Sequence, residues 1–447
     1  MPGADMLQNT LRLDGPTVSP ADRPIAVRSR LPLDGWRSPG RAGAVLLLGN
    51  YRPTLTLARE LARLGLKVLV AGRCSEGAAE WSRFCADVID IADPEHEPAA
   101  FLAGLERCLA ERSEIGTLLP VTEAAARVLS GRAGRLSDRV LLAMPAPHLV
   151  AHCLDKPRLF GLAASLGLPV AQGETVLGDG PNPYAALLDA AVRTGFPLVL
   201  RPLDSTRRIN GEKALIAADM AALADALPAW PPGQEGLILQ RKVSGLRHNL
   251  YFAARRGRLI RLAEAVILRT DRVDGTGLAV EGTTIVPDET RVGYLRALLR
   301  ALDYSGVGCA QFLVDPASGE ASFLEINPRI AGHHALAEAL GLELSRLAIA
   351  LAAAGGDEPL RIGPAGVRYA WTYGDLRGLA TAWRAGRLSF RGALAWGAQI
   401  AWAACRCRVH MTWRWADPVP SLVLYARQAR LRPHPAPPSA TGTRHPA

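Results

Sequence analysis

Short apolar runs alternate with amphipathic stretches in the first part of the chain. Residues 44–49 and 67–72 are largely apolar and end in glycine, and residues 54–64 between them carry apolar side chains at helical spacing. Such runs are typical of strands buried on both faces, and the strand–helix–strand order predicts a right-handed parallel unit. An open parallel α/β domain is therefore predicted over residues 41–150, with further strands at 87–91, 117–120 and 140–143.

The pattern changes at residue 151. Residues 154–167 carry one apolar helical face; Asp155 is suited to cap this helix, with Pro157 in its first turn. Lys156 at the helix entrance is either a solvated lysine or a phosphate contact. The strand signals that follow, at 195–202, 237–245, 248–254 and 259–268, predict an α+β segment that is distinct from the first domain.

Two strands and a short turn predict a hairpin over residues 308–327. With a five-residue loop, Asp315 pairs with Ala321, and Gln311 then lies opposite Glu325. Helices predicted after Gly332 and over 344–356 would cover this sheet.

Polar side chains collect where this hairpin ends. Glu325 and Asn327 are two residues apart, so they share a face of a strand, and Gln311 joins them in the predicted register. Three oxygen donors followed by Arg329 suit a hard cation that carries phosphates. Taken alone, a Glu and an Asn two residues apart, such as Glu325 and Asn327, more often form the solvated end of a strand than a metal site.

The composition of residues 357–432 differs from that of the preceding residues. This region is rich in Trp and Arg and is predicted to form a C-terminal subdomain. Residues 393–405 form an apolar run of 13 residues, too short to span a bilayer. Flanked by arginines, this run could contact a membrane surface peripherally, although packing on the body of the protein is favoured. Six of the nine tryptophans lie in this region, namely Trp371, Trp383, Trp396, Trp402, Trp413 and Trp415.

The composition and net charge of the chain favour some classes of protein and ligand over others. The 447 residues predict two or three domains, and 49% hydrophobic with 21% charged residues indicates a globular protein. A net charge of +10 suits anionic ligands, but no basic–aromatic motif predicts nucleic-acid binding. No signal peptide is predicted, and seven scattered cysteines indicate reduced thiols in the cytoplasm. The polar stretches at 1–40 and 433–447 predict a flexible extension and a disordered tail.

The first turn of the α/β domain, residues 49–53, lacks the G-x-G-x-x-G spacing of nicotinamide-binding proteins. Glu123 is a candidate substrate contact in this domain. It follows a predicted strand, at the position where substrates bind in such domains. It is equally suited to a helix-capping box.

The order of motifs resembles the ATP-grasp superfamily, above all the ATP-grasp units of the carbamoyl-phosphate synthase large chain and related carboxylate–amine ligases. The resemblance covers about residues 43–356. It implies an N-terminal open parallel α/β domain and a lid subdomain with its linker helix over 151–243, of which about 169–243 is the mobile lid. It also implies a catalytic subdomain over 244–356, with a mixed or antiparallel C-terminal sheet covered by helices. The resemblance rests on four sequence motifs: D-K at 155–156, G-F-P-L-V-L-R-P at 195–202, Q-F-L-V-D at 311–315 and L-E-I-N-P-R at 324–329.

Residue roles follow from this resemblance. Lys156 and Arg201 match the two basic residues that contact the nucleotide phosphates. The hinge that holds the adenine is matched by Gln240, Arg241, Lys242 and Val243. Arg329 matches the arginine that steadies the transferring phosphate or acyl phosphate. The ligands of Mg²⁺, or of Mn²⁺ in its place, are matched by Gln311, Glu325 and Asn327.

Two positions depart from the family pattern. The lid loop 204–213 has a single glycine, Gly211, where the family is glycine-rich, so Arg207, Arg208 or Lys213 would have to hold phosphate with side chains. Arg241 also stands where an acidic residue often binds the ribose.

The implied activity is an ADP-forming ligase that activates a carboxylate as an acyl phosphate and joins it to an amine. A non-catalytic nucleotide-binding protein and, less favoured, a bicarbonate-using carboxylase are the alternatives. Glu123, His333 and His334 are candidate substrate contacts, although each histidine is more often structural at a helix start. A homodimer is left open.

Overall fold

The computed structural model describes residues 43–72, 77–203 and 207–430. The predictions for residues 1–40 and 433–447 lie outside this part of the chain.

Residues 43–154 form the predicted parallel α/β domain. Its five strands lie in the order β3-β2-β1-β4-β5, and every neighbouring pair is parallel. β1 is buried along its whole length, as expected for a central strand covered by helices on both faces. The strands are β1 Ala44–Leu48, β2 Val68–Ala71, β3 Asp87–Ile89, β4 Ile115–Pro120 and β5 Leu141–Leu142, and the helices are α1 Arg52–Arg63, α2 Pro98–Glu111, α3 Glu123–Ser130, α4 Ala133–Ser137 and α5 Pro147–Leu154.

A linker helix, α6 Lys156–Ser165, leads into a small antiparallel domain. Asp155 caps α6, since its carboxylate accepts a hydrogen bond from the Arg158 amide over 3.0 Å, as predicted. The four strands lie in the order β6-β9-β7-β8 around an apolar core of their own. The elements are β6 Gly173–Leu177, α7 Pro183–Thr194, β7 Leu198–Pro202, β8 Leu215–Ala217, α8 Met220–Ala226 and β9 Gly236–Arg241.

A larger, mostly antiparallel sheet follows. Apolar residues on one of its faces, such as Phe252, Phe312 and Phe323, form the largest core cluster with α9. The helix α11 lies against β10 and β13. The elements are β10 Leu246–Arg255, β11 Arg258–Thr270, β12 Ala279–Ile285, α9 Glu289–Ala301, β13 Gly306–Val314, β14 Ala321–Asn327, α10 His334–Ala339 and α11 Leu344–Ala352.

The register of the β13–β14 hairpin corrects one prediction. Ala321 pairs with Val314, so the predicted pairing of Asp315 with Ala321 is wrong. A register shift between Gln311 and Phe312 then brings Gln311 opposite Glu325, and that predicted pairing is confirmed. The shift is a β-bulge, which adds one residue to β14 and so reverses which of its side chains face the core. Phe323 faces the core, whereas Glu325 faces away from it beside Gln311.

The C-terminal region packs on the rest of the protein, as the favoured alternative predicted. β16 and β17 extend the large sheet, whose order is β14-β13-β10-β11-β12-β16-β17, with β15 beside β11. The Arg59 side chain of α1 also binds Asp417, with Nε 2.8 Å from Oδ2 and both side chains buried. Among the described residues, no helix is both long and apolar enough to cross a bilayer. The elements are β15 Arg361–Ile362, β16 Arg368–Ala370, α12 Thr372–Arg384, α13 Phe390–Arg406, β17 Val409–His410 and α14 Val419–Arg430.

Candidate active site

The three proposed metal ligands lie together at the end of the hairpin. Gln311 on β13 pairs with Glu325 on β14, and the Asn327 amide donates a hydrogen bond to Glu325 Oε1 over 2.8 Å. No cluster of three or more His, Cys, Asp or Glu side chains suited to a metal ion occurs in the described part of the chain. A cation here would therefore take one carboxylate, two amide oxygens and oxygens from its ligand, a set that suits Mg²⁺.

Two basic side chains approach this cluster from other elements. Lys156 is buried in the first turn of α6, and Arg201 lies on β7 of the small antiparallel domain. Burial lowers the pKa of both side chains, and the Glu325 carboxylate opposes that shift in each case. Both cations are thus close to Glu325, although they lie on different elements, α6 and β7.

Two orphaned donors lie at the same place. The Nε atoms of Arg201 and Arg329 are buried and have no hydrogen-bond partner within the described structure. Buried donors of this kind are normally satisfied, so a ligand that supplies acceptors is expected beside each of them. Phosphate oxygens fit this requirement.

Glu123 enters the site from the parallel domain. The cap of α3 is Thr122, whose hydroxyl accepts a hydrogen bond from the Ala125 amide, so the capping-box alternative for Glu123 is not realised. Its carboxylate instead accepts a hydrogen bond from Arg329 NH2 over 2.7 Å. Burial alone would raise the pKa of Glu123, but Arg329, Lys213 and Lys156 outweigh it and lower the pKa to about 2.

The lid loop places only one of its three basic candidates at this site. Arg207 donates a hydrogen bond to Gly233 O and forms an ion pair with Glu235. Arg208 forms an ion pair with Glu95, and the nitrogen–oxygen distance is 2.8 Å in each of the two ion pairs. Lys213, by contrast, is close enough to Glu123 to lower the pKa of that carboxylate.

The proposed adenine hinge joins the small antiparallel domain to the large sheet. Gln240 is buried near the end of β9, and its side-chain amide lies 3.5 Å from Ala171 O. The backbone amide of Arg241 donates to Gln172 O, and that of Lys242 donates to Pro197 O, each over 2.8 Å. The Arg241 and Lys242 side chains are exposed, and Val243 is half-buried.

The two candidate histidines are buried and uncharged. His333 Nε2 lies 3.3 Å from Ala279 O, and burial together with Arg52 and Arg247 lowers its pKa well below the usual value. His334 Nε2 lies 2.7 Å from Ser345 Oγ on α11, and burial lowers its pKa to about 3. This position favours the structural alternative for His334, which braces α10 against α11.

The sequence analysis missed two side chains on this face of the sheet. Asn249 on β10 pairs with Gln311, and its Oδ1 is a buried acceptor without a partner in the described residues. Arg247 donates from both terminal nitrogens to Gly277 O, while its buried Nε is likewise orphaned. The alternation of β10, combined with its pairing to Gln311, is the signal that could have identified them.

Comparisons with known proteins agree with this arrangement. A family model described as carbamoyl-phosphate synthase L chain, ATP binding domain, matches residues 289–359, which include all three proposed metal ligands and Arg329. The chain is 27% identical over 213 residues to the carbamoyl phosphate synthase arginine-specific large chain of Bacillus subtilis (strain 168). That match covers 44% of this chain but only 19% of the relative, so the chain spans a small part of its length.

Solved structures share the fold at low sequence identity. An L-amino acid ligase from Bacillus licheniformis is 15% identical, with a TM-score of 0.55 over 70% of this chain and 74% of that one. The biotin carboxylase domain of Hydrogenobacter thermophilus 2-oxoglutarate carboxylase, in complex with MgADP, ADP and bicarbonate, is 16% identical, with a TM-score of 0.54 over 71% and 70% of the two chains. The motif order, the family-model match over residues 289–359 and the shared fold together support an ATP-grasp fold for this chain.

Proposed function

We propose that the protein is an ATP-dependent, ADP-forming ligase that activates a carboxylate as an acyl phosphate and joins it to an amine or a similar nucleophile. The observation that carries this proposal is the convergence of three domains on one spot. Glu325 lies beside two amide oxygens on the large sheet, Lys156 and Arg201 approach it, and Arg329 is held by Glu123.

The residues fit Mg-ATP. Gln311, Glu325 and Asn327 would hold the metal ion, which supplies charge neutralisation between the nucleotide phosphates. Asn327 Oδ1 accepts a hydrogen bond from Arg329 over 3.3 Å, so that contact would loosen when the amide oxygen turns to a cation. The orphaned Nε atoms of Arg201 and Arg329 support the binding of anionic ligands near these two side chains.

The side chains have separable tasks in this proposal. Lys156, Arg201 and Lys213 bind the phosphates and neutralise the charge that develops during transfer. Arg329 binds the transferring phosphoryl group, and Glu123 fixes the direction of its guanidinium. A carboxylate oxygen of the substrate attacks the γ-phosphate and releases ADP, after which the nucleophile displaces phosphate from the acyl group. Residues 240–243 hold the adenine.

The domain organisation of the proposal keeps the predicted boundaries. Residues 41–150 carry the substrate side, 151–243 the lid with its linker helix, and 244–356 the catalytic strands. The C-terminal subdomain, 357–432, adds β15, β16 and β17 to the same sheet. A cytoplasmic location is proposed because the described cysteines have free thiols. A homodimer is also proposed, by analogy with the biotin carboxylase domain dimer named above.

A second candidate is a nucleotide-binding protein without turnover. The ion pairs of Arg207 and Arg208 support it, because these side chains are committed elsewhere in a loop that has a single glycine. The retention of Glu325, Gln311, Asn327 and Arg329 favours the ligase.

ATP turnover against pools of small carboxylates and amino acids tests the proposal. We expect ADP formation in at least one pool that contains both a carboxylate and an amine, and we expect chelation of the divalent metal to abolish it. The thermal shift produced by ATP is measured in parallel. The ligase fails, and the second candidate stands, if ATP raises the melting temperature while no pool yields ADP above the chelated control.

A further inference from the structure

The outer face of α13 is exposed and mainly apolar, with Arg391 in the same sector near the start of the helix. Phe390 is 68% exposed, Leu394 58% and Trp402 59%. At 100° per residue, these side chains fall within about 120° of the helix circumference. We call this set the α13 face; its members are Phe390, Leu394, Ala398, Ala401, Trp402 and Cys405, all exposed.

The opposite side of α13 already has its partners. Ile400 and Ala403 are buried against the body of the protein, and Trp396 Nε1 donates to Asp375 Oδ1 over 2.6 Å. The helix is thus fixed by one face, and the α13 face is not needed to attach it. A contiguous exposed apolar stripe of this kind normally marks an interaction site.

The chain segment that carries this face has charged residues of a single sign. Between Asp375 and Asp417 the sequence contains no acidic residue but seven arginines, namely Arg377, Arg384, Arg387, Arg391, Arg406, Arg408 and Arg414. Arg377 and Arg414 form ion pairs with Asp271 and Glu60. In the described part of the chain, no carboxylate lies within 4.0 Å of Arg387, Arg391, Arg406 or Arg408.

The arginines border the apolar stripe directly. Arg391 and Arg406 are exposed near the two ends of α13, and the Arg406 guanidinium lies 4.7 Å from the centre of the Trp402 ring. Tryptophan and arginine side by side at the edge of an apolar surface match the boundary between acyl chains and headgroups. At 17 residues, α13 is about 25 Å long, which suits a helix that lies in the plane of a bilayer surface.

We infer that the α13 face docks on an anionic lipid bilayer, with Phe390, Leu394 and Trp402 inserted among the acyl chains and the arginines on acidic headgroups. A second copy of the chain is a poor occupant, because a two-fold interface would bring two sets of arginines together without any carboxylate. The docking surface is independent of the proposed ATP chemistry.

Vesicle flotation of the full chain tests this inference. We expect binding to phosphatidylcholine vesicles that contain about 30% phosphatidylglycerol, little binding to phosphatidylcholine alone, and weaker binding at high salt. Arg391→Glu is expected to lower the affinity about tenfold. Arg300→Glu, which makes the same charge change at an exposed position on α9, is the matched control and should bind like the wild type.

Apolar insertion is tested separately. Leu394→Ser should reduce binding, whereas Val192→Ser, at a 68% exposed position on α7, should not. Melting temperatures confirm that each variant is folded. The inference is overturned if anionic vesicles bind no more protein than neutral ones, or if each variant and its control behave alike. It is also overturned if Leu394→Ser converts a dimer to a monomer in sedimentation without vesicles, because a second copy then covers the face.

Discussion

Replacing Glu325 with alanine is expected to abolish ATP turnover while leaving the fold intact. Glu325 is the carboxylate of the proposed metal set, and amide oxygens alone bind Mg²⁺ weakly. Its charge also offsets that of Lys156 and Arg201. We expect turnover to fall about a thousandfold or more, by analogy with other losses of transition-state charge stabilisation.

Glu320→Ala is the matched control for this variant. Glu320 is an exposed acidic residue just before the same strand, so its removal makes the same charge change away from the site. ADP formation is measured for both variants with the substrate pool that the wild type uses. The metal assignment is wrong if Glu325→Ala retains turnover within about tenfold of Glu320→Ala.

Arg329→Met is expected to lose both activity and stability. The variant removes the nearest cation of the half-buried Glu123 carboxylate while Lys213 and Lys156 remain close to it, and the loss of a hydrogen bond to a charged group costs about 1.5–3 kcal/mol. Turnover should fall at least a hundredfold, because Arg329 also binds the transferring group. The double variant Glu123→Gln with Arg329→Met should recover much of the stability and none of the turnover.

The pH dependence separates these two losses. In the wild type, Arg329, Lys213 and Lys156 together lower the pKa of Glu123 from 4.5 to about 2, so their combined contribution of about 3 kcal/mol is present above pH 4.5 and is lost as pH falls towards 2. Without Arg329, the pKa of Glu123 is lowered less, so the stability lost in urea unfolding as pH falls from 4.5 to 2 should be smaller than in the wild type. The pairing is not stabilising if the double variant unfolds as easily as Arg329→Met.

Features that depend on residues close together in the chain could be predicted from the sequence. The apolar runs at 44–49 and 67–72 correspond to adjacent parallel strands, because burial on both faces leaves a continuous apolar signature. Asp155 caps α6 as expected, since capping depends on residues three apart. The grouping of Gln311 with Glu325 was also foreseen, although from a register that the bulge in β14 corrects.

Contacts between distant elements could not be read in the same way. Glu123 and Arg329 are 206 residues apart, and nothing local to either residue indicates their pairing. The ion pair of Arg208 with Glu95 likewise joins two domains. The bulge depends on how Phe323 packs in the core, which a period-two pattern does not reveal.

Transfer of ¹⁸O from the carboxylate substrate to inorganic phosphate distinguishes attack of a carboxylate on the γ-phosphate of ATP from other uses of ATP. The substrate is labelled at both carboxylate oxygens, and the released phosphate is analysed by mass spectrometry. If an acyl phosphate forms, one carboxylate oxygen leaves with the phosphate when the nucleophile attacks, and we predict one ¹⁸O atom in each phosphate. Unlabelled phosphate, or AMP and pyrophosphate in place of ADP and phosphate, would show that no acyl phosphate forms.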